Sequence, residues 1–218
     1  MKQGKITRAI VLSALAASAV LGAGCSSNPP VATSMATTPA GTQMAFHRKS
    51  SGSLGNFDGQ VAWTFSHGTW QGQPALVMGS AEVGATVFNP TTHAMIATLD
   101  RAGKPLMSFD PPVGYQWPLE VGKTWTSTHT VTMHASGKKM PMNVDWKVES
   151  YGDVTVPAGT FKAYKVVSTT AEGEVDARWV SPRDGLATVK RNTVRPATHP
   201  QGPGVLDGEL LSHTLPAK

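Results

Sequence analysis

Between Thr124 and Glu149 the chain alternates with a period of two, and that pattern constrains the fold more than any other feature. Thr124, Thr126, Thr128, Thr130 and Thr132 take every even place, with Trp125, Ser127, His129, Val131 and Met133 between them. After Ser136-Gly137-Lys138-Lys139 the pattern inverts. Met140, Met142, Val144, Trp146 and Val148 are then apolar, and Asn143, Asp145, Lys147 and Glu149 are polar. Successive side chains of a strand point to opposite faces, so a strand separates these sets and a helix does not. An antiparallel hairpin through a 136–139 loop predicts Met133 opposite Met142, Val131 opposite Val144 and His129 opposite Trp146, with every apolar residue on one face. A slip by one residue would turn an apolar row into water at about 1.5–3 kcal/mol per large side chain.

The rest of the chain follows suit. Short β-type runs at 60–66, 74–80, 85–88, 94–99, 106–109, 124–134, 140–151, 160–170, 174–180, 186–194 and 206–213 are separated by turn residues such as Asn89-Pro90 and Pro182-Arg183-Asp184-Gly185. No stretch of this region carries a 3.6-residue apolar stripe. The predicted fold is all-β, an antiparallel meander forming a curved sheet or half-barrel.

The N-terminus follows different rules. Lys2, Lys5 and Arg8 precede an apolar run from Ala9 to Val20, and small residues lead to Cys25, the only cysteine. This is the grammar of an export signal. The run is shorter than the roughly 20 apolar residues of a spanning helix. Leu21-Gly22-Ala23-Gly24-Cys25 resembles the lipobox of bacterial lipoproteins. That resemblance implies cleavage between Gly24 and Cys25, acylation of Cys25, and a membrane partner held through the lipid. Ser26, where an inner-membrane retention signal would carry Asp, implies by the same resemblance the periplasmic face of the outer membrane. Residues 1–24 then form a signal helix, residues 25–55 the lipidated cysteine and a flexible tether, and residues 56–218 a single β-domain. The Ser-, Pro- and Thr-rich stretch 26–42 is the core of that tether.

Removing residues 1–24 takes away three basic side chains, so the whole-chain charge of +5 falls to +2. No dense basic cluster follows the signal, and no nucleic-acid partner is expected. With Cys25 alone, the domain depends on its core and not on an internal disulfide.

Asp153-Val154-Thr155-Val156-Pro157-Ala158-Gly159-Thr160-Phe161 resembles a recurring VxVPAGTF segment of bacterial envelope β-domains of unknown function. Pro118-Leu119-Glu120-Val121-Gly122-Lys123-Thr124-Trp125 and Trp179-Val180-Ser181-Pro182 through Gly185-Leu186 are similar to its companion segments. The resemblance implies fold and is silent on activity. As architecture, Pro157 and Gly159 make a turn and Phe161 restarts a strand toward the core.

Candidate chemistry is sparse. There is no H-E-x-x-H, C-x-x-C, G-x-S-x-G or phosphate-cradling glycine loop, so no catalytic residue, metal or cofactor is assigned. His129 and His134 fall on opposite faces of one strand, and His129 and Met133 stand about 13 Å apart along it, too far for one ion. Asp145, Glu149, Glu174 and Asp176 read as solvated surface. Trp63, Trp125, Trp146 and Trp179, with His129, are the candidate apolar-face binding residues. The expected role is a non-catalytic binding or envelope-structural module. The alternatives are a carrier for lipid or lipidated protein, and a hydrolase or metal-binding protein with a non-local site. The hydrolase would require His129 or His93 within hydrogen-bond distance of both a hydroxyl and a carboxylate.

Overall fold

A computed structural model describes residues 28–216; the signal segment, Cys25 and the cleavage point lie outside the described residues. Twelve strands run in order: β1 (Gln43–Gly52), β2 (Phe57–Trp70), β3 (Gln73–Ser80), β4 (Gly84–Phe88), β5 (Met95–Leu99), β6 (Pro105–Val113), β7 (Thr124–Met133), β8 (Lys138–Val156), β9 (Gly159–Thr170), β10 (Val175–Ser181), β11 (Leu186–Arg195) and β12 (Gly204–Thr214). Each pairs antiparallel with its sequence neighbour, and β1 pairs with β12, so the meander closes into a barrel with no free edge.

The β7–β8 hairpin has its apolar rows on one face, as the alternation predicts, but in a different register. Trp125 pairs with Trp146, His129 with Met142, and Met133 with Lys138. The turn occupies 134–137, with Gly137 at φ +68° and its amide donating to Met133 O at 2.8 Å. Alternation fixes only odd against even; the glycine's left-handed backbone decides where the turn falls, and the expected 136–139 loop misplaced it.

The start of the domain is also corrected. β1 lies inside the stretch assigned to the tether, and the segment before it is docked on the barrel. Ala32 pairs with Leu119 through two backbone bonds of 3.0 and 2.7 Å, Ala36 N donates to Pro182 O, and Tyr164 Oη donates to Pro30 O. Met35, Thr38 and Thr42 are buried.

Barrel size explains that docking. Eight strands enclose about the space that side chains fill, and twelve leave a wider interior. At the end where β1 begins, here the proximal end, that space is plugged. Met35 and Leu119 pack with Val148, Tyr164, Val166 and Val180. A second cluster joins Phe46, Phe65, Leu76, Leu186, Val189 and Leu210. The VPAGTF turn belongs to this plug: Gly159 has φ +131°, and the Ala158 amide donates to Leu210 O across the barrel.

The outer wall is polar. His47 and Lys49 pair with Asp58, Lys165 with Glu149, and Lys190 with Glu209, while Thr126 donates to Asp145. A lipid-facing wall needs an apolar band about 25 Å tall, and a midplane Lys or Arg costs about 2–4 kcal/mol. This wall faces water.

Gly84 opens β4 at φ +89°, where an added Cβ would lie 2.3 Å from Leu99 O. Gly84→Ala is therefore expected to destabilise the barrel by about 1–3 kcal/mol, read as a lower urea midpoint with unchanged slope.

Candidate functional site in the barrel interior

Toward the opposite, distal end β10 and β11 bring charged side chains into an interior that stays apolar at Val131, Val144 and Leu206. Asp176 on β10 projects inward, and three donors hold its carboxylate: Arg178 Nε at 2.7 Å, Arg191 Nε at 2.7 Å and Thr193 Oγ1 at 2.7 Å. Arg178 and Arg191 are direct cross-strand partners. Burial alone would push the Asp176 carboxyl up, but the two guanidiniums outweigh it and hold it well below the usual carboxylate range. Arg195 Nε meets Glu174 Oε2 at 2.5 Å one step nearer the distal end.

Arg178 and Arg191 keep 34% and 33% of their side-chain surface accessible, against 11% for Asp176. The interior thus holds solvent-sized space beside the guanidiniums. Their hydrogen bonds to Asp176 use Nε, and the terminal nitrogens take no part in them. Tyr115 reaches into the same region, its hydroxyl donating to Ala187 O at 3.2 Å beside Arg178.

The sequence-predicted residues divide. Trp125 and Trp146 stack at 5.4 Å with planes 4° apart, and Tyr115 meets Trp146 edge-on. His129 is buried on the same wall. Trp63 lies in the apolar cluster against Phe46. Trp179 packs against the same apolar cluster as Trp63 but projects from the outward-facing row of β10, with Lys165 Nζ at 5.5 Å and Lys190 Nζ at 5.9 Å from its ring. Asp176 and Glu174 are corrected the other way, from solvated surface to interior. The reason is parity in β10: Val175, Ala177 and Trp179 are the more apolar row and would be placed inside, but Asp176, Arg178 and Val180 occupy that side.

His129 meets half of the hydrolase requirement. Its Nε2 lies 2.8 Å from Ser127 Oγ, and its Nδ1 lies 2.7 Å from Pro111 O, a carbonyl and not a carboxylate. With Nδ1–H donating to that carbonyl, Ser127 Oγ donates to Nε2 and accepts the Trp146 indole N–H at 2.9 Å. The three groups satisfy one another, as buried polar groups must. His93, the other candidate, contacts only Thr38 Oγ1 at 3.4 Å. No cluster of metal-ligating side chains occurs among the described residues.

His93 supplies a pH dependence. Burial pushes its imidazole pKa down, so the neutral form is the one that folds, and its contribution is complete above the ordinary value near 6.5 and is lost as pH falls below it. Stability is expected to decline below about pH 6.5, and less steeply in His93→Gln, as checked by thermal melts between pH 7 and 5.

No family model matches the chain, and no curated protein matches it. Three solved structures are similar over most of its length. A candidate exported protein with a YmcC-like fold from Bacteroides fragilis shares 10% identity, with 84% of this chain and 99% of the other covered and a TM-score of 0.48. A candidate lipoprotein from Parabacteroides distasonis shares 12% over 84% and 99%, TM-score 0.43. The hypothetical lipoprotein YmcC from Escherichia coli shares 11% over 83% and 86%, TM-score 0.43. At TM-scores under 0.5 these stand as similarities to exported and lipoprotein chains, and no family membership follows from them.

Proposed function

We propose that this chain is an envelope lipoprotein, anchored through an acylated Cys25 in the outer membrane and facing the periplasm, whose barrel is a non-catalytic binding module. The observation that carries the binding reading is the solvent-accessible charged interior of a closed barrel. Burying charge costs several kcal/mol per ion, and well-packed apolar residues in its place are often neutral or stabilising. A barrel that served only as a scaffold would gain by filling this region as it fills the proximal end. The anchoring reading draws on the export signal before Cys25 and on the charged outer wall, which leaves membrane attachment to the N-terminus.

The carrier alternative has less support. The apolar half of the interior is occupied by the protein's own Met35, Leu119 and Leu210. Cys25→Ser tests the anchor: the variant is expected in the soluble periplasmic fraction with its barrel intact, and persistence in membranes would refute lipidation. Native mass spectrometry of the detergent-solubilised protein tests binding, with a co-purified small molecule as the expected result.

A further inference from the structure

We infer that the barrel interior binds a small oxyanion group, a phosphate or carboxylate, between Arg48 and the Arg178–Arg191 pair. The placement comes from the strand register. Arg48 on β1 pairs with Gly208 on β12, Gly208 with Arg191 on β11, and Arg191 with Arg178 on β10. Paired residues of a sheet project to the same face, so all three guanidiniums line one inward row with a glycine gap between the first two. Arg48 and Arg191 are then about 10 Å apart at the backbone, within joint reach of one oxyanion.

Charge supplies the second argument. Among the described residues, Asp176 and Glu174 face Arg178, Arg191 and Arg195, and Arg48 has no carboxylate partner, so the interior they form carries four guanidiniums against two carboxylates. Arg48 donates only a long 3.4 Å bond to Leu54 O and lies 5.9 Å from the Phe57 ring. Its buried Nε finds no partner among the described residues, nor does the Oγ of Ser50, the next inward residue of β1, which is 6% exposed. An unpaired buried cation is costly, and two excess positive charges with orphaned donors are matched by a bound dianion. Guanidinium forks suit phosphate and carboxylate geometry. Gly208 places no side chain between Arg48 and Arg191: a Cβ there would meet only Arg191 Cβ at 3.8 Å, so the fold tolerates a side chain at that position without needing one.

This inference deepens the binding reading and is tested on the full chain in non-ionic detergent, with inorganic phosphate and succinate as probes at fixed ionic strength in chloride. A saturable rise in Tm with either probe is expected, and the stronger probe identifies the head group. Arg48→Met is expected to fold at least as stably as the parent while its affinity for the probe falls tenfold or more; Gly208→Val, which fills the gap, is expected to lose affinity likewise. Lys49→Gln, on the outer wall, keeps the response. A response no larger than that of chloride, or one unchanged in Arg48→Met and Gly208→Val, overturns the proposal. A neutral co-purified molecule with no probe response overturns the anion site and leaves the binding reading standing.

Discussion

Asp176→Ala is expected to destabilise the barrel by about 3–5 kcal/mol, the largest effect of any single polar substitution in this interior. The cost comes from what remains. Arg178 and Arg191 are cross-strand neighbours whose mutual repulsion is offset by the carboxylate that both guanidiniums grip. Without it, two like charges face each other with no counter-charge between them, and Thr193 Oγ1 loses its acceptor. The measurement is a urea denaturation series with the slope held. Adding Arg191→Met to Asp176→Ala is expected to recover part of the loss, because it removes one of the stranded cations, and strict additivity of the two changes would show that the groups are not coupled. Acid should reproduce the single substitution. The folded carboxyl titrates below its unfolded value near 3.9, so its contribution is complete above that pH and is withdrawn below it.

Leu119→Ala is expected to cost about 2–5 kcal/mol and to release the N-terminal segment. Leu119 has no accessible surface and sits at the centre of the proximal plug. Its backbone also forms both hydrogen bonds to Ala32, so one residue anchors the start of the segment by packing and by pairing together. The void would loosen Met35 on one side and Tyr164, with its bond to Pro30, on the other. Limited proteolysis should show faster cutting between residues 30 and 42, at a protease level that leaves the strands intact. Equal cutting in parent and variant would mean the segment is held elsewhere.

How much of this was legible in the sequence depends on what each residue pattern encodes. Eleven strands show as short β-type runs between turn residues, and the hairpin faces follow from parity. β1 does not, because Met44, Ala45 and Phe46 are consecutive and all buried around a bulge between Ala45 and Phe46, which interrupts the alternation. Closure is likewise invisible, since β1 and β12 are joined by pairing and by no turn. The candidate site was hidden for a third reason. Its arginines are inward, and a reading that sends apolar rows inside discards them. The one available signal was Arg178 and Arg191 falling opposite each other once β10 and β11 are paired. Two like charges on adjacent strands are destabilising on an open surface and call for an intervening anion.

Joined to the proposed acylation of Cys25, the docked N-terminal segment sets which way the molecule would look. Pro30 is tied to Tyr164 at the proximal end, so an acylated Cys25 has five residues of leash, at most about 18 Å of contour, between lipid and barrel. Under that proposal the proximal end would lie toward the headgroups and the end that carries Arg178 and Arg191 would point away from them, toward the aqueous compartment.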